Sequence, residues 1–266
     1  IVRQPRSCIY SLVHVPRRVS KMKPTISSTP KSWQSHPTTH ILAVLTVYVP
    51  VYAFALWTHL SERTITLREL FLYPLILGGG TVVLILVIHR YVLGESLSTL
   101  QLKPGRWYTD VIAGVLLGIV ALGIKMLQGV VQSSIITTRP EPPAEEIVTL
   151  IRGIAGNPML ITLWLGPVVW IGVAAFEELI RIFALNRLRR VWPQQFAKWI
   201  VLIVTAVLFG LAHIYQGPLS MFFITIQGLL YGWYYLRFGR VWPLIIAHAL
   251  YDSLQVIQVV MAFRGG

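Results

Sequence analysis

Long apolar runs, broken by short polar or basic segments, dominate the chain. They fall at roughly 41–60, 70–92, 110–132, 160–186, 198–216, 218–236 and 241–263. Each approaches the ~20 apolar residues that carry a helix across a bilayer. None alternates apolar and polar positions in ~10-residue segments, as the strands of a membrane barrel do. The pattern predicts an all-α polytopic membrane helical bundle of about seven transmembrane helices. The loop at 133–157 contains TTRPEPPAEE and closes on a possible amphipathic helix at 146–154. No internal repeat is visible. Three parts follow: residues 1–39 as a basic, disordered cytosolic tail, 40–157 with three membrane helices and the loop, and 158–263 with a four-helix core.

Composition agrees with that class. Of 266 residues, 55% are hydrophobic and 12% charged, with a mean hydropathy of +0.66, far from a soluble mixture. The net charge of +13 raises the idea of a nucleic-acid partner, but the basic residues are spread between the apolar runs, and no nucleic-acid partner is expected. With seven spans and the N-terminus inside, the inner segments hold sixteen Lys and Arg against five outside, as the positive-inside rule requires. The first methionine is Met22, and the segment before it reads either as part of the cytosolic tail or as a translated stretch upstream of a start at Met22; without it the bias is still eleven against five. Trp192, Trp199 and Trp242 sit where interfacial anchors belong. The single cysteine, Cys8, excludes an internal disulfide and a cysteine metal site.

Against this background the stretch AAFEELIRIF at 174–183 stands out. Ionisable residues inside a membrane span are costly, and they face a bundle interior or a wet cavity. Span four carries Glu177, Glu178 and Arg181, span five Phe209 and His213, and span seven His248 and Asp252. Glu177 and Arg181, Phe209 and His213, and His248 and Asp252 are each spaced i, i+4, which puts each pair on one helix face. Each pair alone has an ordinary structural explanation; together, on three spans, they point to one intramembrane site. Other polar positions read more plainly. Lys125 snorkels or faces the bundle, Gly78–Gly79–Gly80 marks close packing or a kink, and His59 and His89 sit at span ends as interfacial residues.

The order EELIR (177–181), FGLAH (209–213) and HALYD (248–252) resembles the CPBP (Abi) family of intramembrane proteases, which includes the type II CAAX prenyl proteases. The family pattern is EExxxR, FxxxH and HxxxN or HxxxD on successive late membrane helices. The resemblance covers about residues 160–257. In EELIR the arginine comes one residue early, so either glutamate has the spacing to pair with Arg181.

The resemblance implies an intramembrane endopeptidase. Glu177, as the family's first glutamate, and His213 would activate a water; His248 and Asp252 would stabilise the oxyanion or complete the site. Arg181 would neutralise the spare carboxylate of the Glu177–Glu178 pair, and Phe209 would shape the cavity. Glu177, His213 and His248 are donor types that a catalytic zinc uses, while HExxH is absent; metal-dependent and metal-free mechanisms both stay open. The expected partners are membrane lipid and a peptide or membrane-protein substrate, prenylated or not. The expected location is the bacterial cytoplasmic membrane. A non-catalytic scaffold or bacteriocin-immunity protein, and a proton-coupled transporter, are the competing classes.

Overall fold

A computed structural model of the protein describes residues 32–61, 66–102, 106–134 and 145–264. The basic tail up to residue 31, Cys8, the possible start at Met22 and most of the TTRPEPPAEE loop lie outside the described residues.

Among the described residues, eight helical segments carry the fold. We label them α1 (Pro37–Leu60), α2 (Leu67–Val92), α3 (Trp107–Ser134), α4 (Glu145–Ala155), α5 (Pro158–Val191), α6 (Ala197–Leu211), α7 (Pro218–Phe238) and α8 (Trp242–Arg264). No strand occurs among the described residues. Helix α1 starts at Pro37, inside the stretch assigned to the tail. Proline fits the first helical turn because its missing N–H has no intrahelical partner there, and His36 caps the start by accepting from the Thr38 N–H.

Among the described residues, five helices are long and apolar enough to cross a membrane: Pro37–Thr58, Leu67–Val92, Trp107–Ser134, Pro158–Val191 and Trp242–Ala262. This is an integral membrane protein. The other two expected spans differ from the sequence reading. The expected span at 198–216 becomes α6, a helix of only 15 residues and hence about 22 Å long, short of the ~30 Å hydrocarbon core. Helix α7 has 21 residues but is diluted by Ser220, Thr225, Gln227 and Arg237, and it falls outside the five.

Two helices depart from regular α geometry where they meet. Helix α2 widens over Pro74–Gly78 and α5 over Trp164–Ala175, where Gly166 takes non-helical φ −91°, ψ −108° just before Pro167. Proline removes a ladder hydrogen bond and forces such a distortion. The widened segments cross at Gly78 and Gly172. A Cβ on Gly78 would collide with the Gly172 backbone, and one on Gly172 would stand 2.8 Å from the Pro74 carbonyl carbon. Regular α-helix resumes at Phe176, so Glu177 and Glu178 occupy the first regular turn after the distortion.

Helices α3 and α8 start together and run the same way. Arg240, just before α8, holds Asp110 at 2.5 Å and donates to Thr109 Oγ1 at 2.8 Å. Further along, a Cβ on Gly114 would meet Ile246, and Gly118 lies against Ala247.

A second polar cluster ties the segment after α2 to α5. Glu95 accepts from Arg187 at 2.5 and 2.9 Å and from Arg190 at 2.5 and 2.9 Å. Burial alone would push the Glu95 carboxyl up, but the two guanidiniums outweigh it and hold the group below its ordinary value. His89 is not interfacial as its span-end position suggested. It is fully buried, with Nε2 2.8 Å from Thr99 Oγ1 and 3.1 Å from the Ser96 carbonyl. The turn at 94–100 folds back over α2 and covers it. The side chain of His59 lies outside the described residues.

Candidate active site

Glu178 and Arg181 are both fully buried on α5 and form an ion pair. The i, i+4 partnership of Glu177 with Arg181 is thus replaced by an i, i+3 pair with Glu178, the other spacing that brings side chains together on a helix. The Arg181 guanidinium also lies 4.6 Å from the Phe209 ring centre and 5.3 Å from that of Tyr231. Two aromatic faces and a carboxylate make a cation tolerable here.

The second oxygen of Glu178, Oε1, lies 2.8 Å from His248 Nδ1. A carboxylate only accepts, so His248 donates from Nδ1, and in the neutral ring its Nε2 carries a bare lone pair. That Nε2 stands 3.5 Å from Glu177 Oε2 and 3.4 Å from Asp252 Oδ2.

His213 reaches the same point differently. Helix α6 ends at Leu211, and His213 sits in the following turn instead of continuing the helix with Phe209. Its Nδ1 lies 2.9 Å from the Phe209 carbonyl oxygen, one of the orphan acceptors at a helix C-terminus. Nδ1 donates there, and Nε2 points to Glu177 Oε2 at 3.7 Å. Phe209 lies against both rings, with centroids 5.1 Å from His213 and 6.3 Å from His248.

Glu177 Oε2 is buried and, among the described residues, has no hydrogen-bond donor. One carboxylate oxygen therefore faces two imidazole nitrogens whose protons are committed elsewhere. A water fits such a place: it can donate to acceptors that no protein group serves. The three donor types suit zinc, and the partners on both Nδ1 atoms fix the tautomer that a metal ligand needs. The 3.5 and 3.7 Å separations slightly exceed the ~3.4 Å edge of a tetrahedron built on 2.0–2.1 Å bonds. No group of three or more His, Cys, Asp or Glu side chains arranged to hold a metal ion is found among the described residues.

The cluster opens on two cavities that share Glu177, Phe209, His213 and Tyr215 as a wall. One, of about 290 Å³, has a mixed polar and apolar lining and takes in His248, Asp252, Lys125 and Gln227. The other, of about 470 Å³, is apolar and lies between α1, α2 and α5. Sequence reasoning missed Tyr215, whose ring stacks 6.0 Å from His213, and Tyr231, which covers Arg181. Position just after HI is the only signal for the first, and none exists for the second. All seven residues singled out in the sequence thus come together: Glu177, His213, His248 and Asp252 around one space, with Glu178, Arg181 and Phe209 behind.

Fold and site together define a class: a helical membrane protein with an acid–histidine cluster inside its bundle. The family model described as "Type II CAAX prenyl endopeptidase Rce1-like" matches residues 159–254, a region that contains all seven residues. Over those residues the chain is similar to the type II CAAX prenyl endopeptidases, and the match supports, at family level, a CAAX-type intramembrane protease. No curated protein and no solved structure matches the chain.

Proposed function

We propose that the protein is an intramembrane endopeptidase in which Glu177 and His213 activate a water against a peptide carbonyl. The observation that carries this reading is the unserved Glu177 Oε2, 3.7 and 3.5 Å from the Nε2 atoms of His213 and His248. Water held there donates one proton to Glu177 as its oxygen attacks the carbonyl carbon. His213 Nε2 accepts the other proton and sets the direction of attack. His248, oriented by Glu178, completes the site with Asp252 on the side where the oxyanion develops. Glu177 then passes its proton to the leaving nitrogen as the C–N bond breaks.

The substrate we propose is the tail of a membrane-associated protein or peptide, with its apolar part in the 470 Å³ cavity. The charge bias of the loops supports an N-terminus on the inner side of a bacterial cytoplasmic membrane.

The test is hydrolysis of internally quenched peptides, prenylated and not, by the protein in liposomes, with new termini read by mass spectrometry. The parent should cleave, and Glu177→Gln and His213→Ala should not. Cleavage that survives both substitutions removes the reading. A scaffold or immunity protein would cleave nothing, and a transporter would instead show gradient-dependent solute uptake. Zinc at Glu177, His213 and His248 is the alternative favoured by the fixed tautomers; loss of hydrolysis on chelation and its return with Zn²⁺ would select it.

A further inference from the structure

A third cavity, of about 480 Å³, lies apart from the acid–histidine cluster. Helix α1 supplies Ile41 and Leu45 to its wall, the end of α5 supplies Leu188 and Trp192, and α6 supplies Val204 and Leu208. Among the described residues, Gln194 is the one polar side chain in its lining. Leu45, Ile200 and Val204 remain exposed in it, while Val44 and Val201 are buried, so it is an open groove in the lipid-facing surface. It ends at Leu208, whose carbonyl accepts from the Tyr52 hydroxyl.

The groove has the length of one leaflet. Ala197 and Leu208 both line it, and they stand about 16 Å apart along α6. Half of a ~30 Å hydrocarbon core has the same depth. Its mouth, at Trp192 and Phe196, carries the aromatics that belong at the headgroup level. Cations gather there too. Residues 187–198 contain Arg187, Arg189, Arg190 and Lys198 and no acid. Glu95 takes Arg187 and Arg190. Among the described residues, Arg189 and Lys198 pair with no carboxylate. Each follows a residue of the groove wall, Leu188 and Ala197. A peptide laid along this lining would leave its amides unpaired, which is costly; an acyl chain has none to satisfy.

We propose that the groove holds one acyl chain of an anionic phospholipid, with the headgroup phosphate at Arg189 and Lys198. Basic pockets beside membrane helices recognise such headgroups. A zwitterionic headgroup brings its own ammonium to the same two cations and gains less. The chain fills the space between α1 and α6 on the Trp192 side of the Tyr52–Leu208 contact. The site does not rest on the hydrolytic reading, and Glu177→Gln protein should bind lipid as the parent does.

The experiment titrates delipidated full-length protein in a maltoside detergent with phosphatidylglycerol or phosphatidylcholine of the same chains. Native mass spectrometry counts the copies bound. One phosphatidylglycerol should bind about tenfold more tightly than phosphatidylcholine. Replacing both cations, Arg189→Gln with Lys198→Gln, should make the two affinities equal. Val204→Trp fills the groove from an exposed position and should abolish binding of either lipid. Ile200→Trp repeats that fill should Val204→Trp lower the unfolding temperature of the lipid-free protein. Val130→Trp, exposed on α3 and outside the groove, should leave both affinities unchanged. Equal affinities in the parent, a preference that survives loss of both cations, or binding that ignores both groove-filling variants overturns the proposal. Inorganic phosphate that competes as well as the lipid would mark a free-anion site and overturn it too. So would a two-chain mass that Val204→Trp returns to one, since the occupant would then be a second copy.

Discussion

Glu178 Oε1 and His248 Nδ1 lie 2.8 Å apart across the α5–α8 contact, both on buried residues. The contact fixes the tautomer of His248 and so decides what its Nε2 offers to Glu177. Glu178 also carries the only ion pair of Arg181 among the described residues.

Glu178→Gln should therefore separate position from charge. The amide keeps the shape but weakens the hold on His248, so kcat/KM should fall about 10–100-fold, the usual cost of a lost orienting partner. The pH–rate profile should change shape as well. Glu178→Ala strands Arg181 in the core and should cost about 3–5 kcal/mol, read as a lower unfolding temperature in detergent. A Glu178→Gln protein with the parental rate and pH profile would show that the contact does not position His248.

Glu177→Gln should behave oppositely. Its Oε2 receives no donor among the described residues, so little folding energy depends on the charge. Stability should stay within about 0.5 kcal/mol of the parent while hydrolysis drops about 10²–10⁴-fold, the range for loss of a general base. Thermal unfolding and peptide turnover on the same preparation check both halves. A large loss of stability would mean that the carboxylate is a structural member of the cluster.

Much of this was legible in the chain. Apolar run lengths located the helices, and costly charges at 177–181, 213 and 248–252 pointed to one interior space. Pairings were harder to read. Helical spacing alone matched Arg181 with Glu177, but an i, i+3 contact is also available on a helix, and packing against Phe209 and Tyr231 turned the guanidinium toward Glu178. His213 was placed on a helix because the apolar pattern runs on past Leu211, whereas the backbone leaves the helix there and the ring itself caps Phe209. The distant partners Tyr231 and Glu95 carry no local signal, since only the tertiary fold brings them to their arginines.

Glu95 makes a prediction about pH. Its carboxyl is held below its ordinary 4.5 by Arg187 and Arg190 despite burial. A depressed carboxylate contributes stability that is fully present above its unfolded value and is lost as pH falls through the folded one. Unfolding temperature should thus be insensitive to this group above about pH 5 and fall below about pH 4.5. Glu95→Gln should flatten that acid limb and lower stability at pH 7 by about 2–3 kcal/mol, since the buried Arg187 loses its counter-charge. An acid limb of unchanged slope in Glu95→Gln would assign the loss to other carboxylates.

The crossing of α2 and α5 sets where Glu177 stands, and one methyl group tests it. A Cβ on Gly172 would lie 2.8 Å from the Pro74 carbonyl carbon and 2.9 Å from its oxygen. Those are backbone atoms of a proline-bearing turn and cannot swing aside as a side chain would. Gly172→Ala should cost about 1–3 kcal/mol, as overpacking does. It should also displace α5 five residues before Glu177 and lower turnover further than the stability loss alone explains. Gly80, two positions past Gly78 on α2, is the control, because nothing lies within 4 Å of a Cβ built there. Gly80→Ala should be neutral or stabilise by about 0.5–1 kcal/mol through reduced backbone freedom in the unfolded chain. Equal effects of the two substitutions on unfolding temperature and turnover would show that the Gly78–Gly172 contact does not place the site.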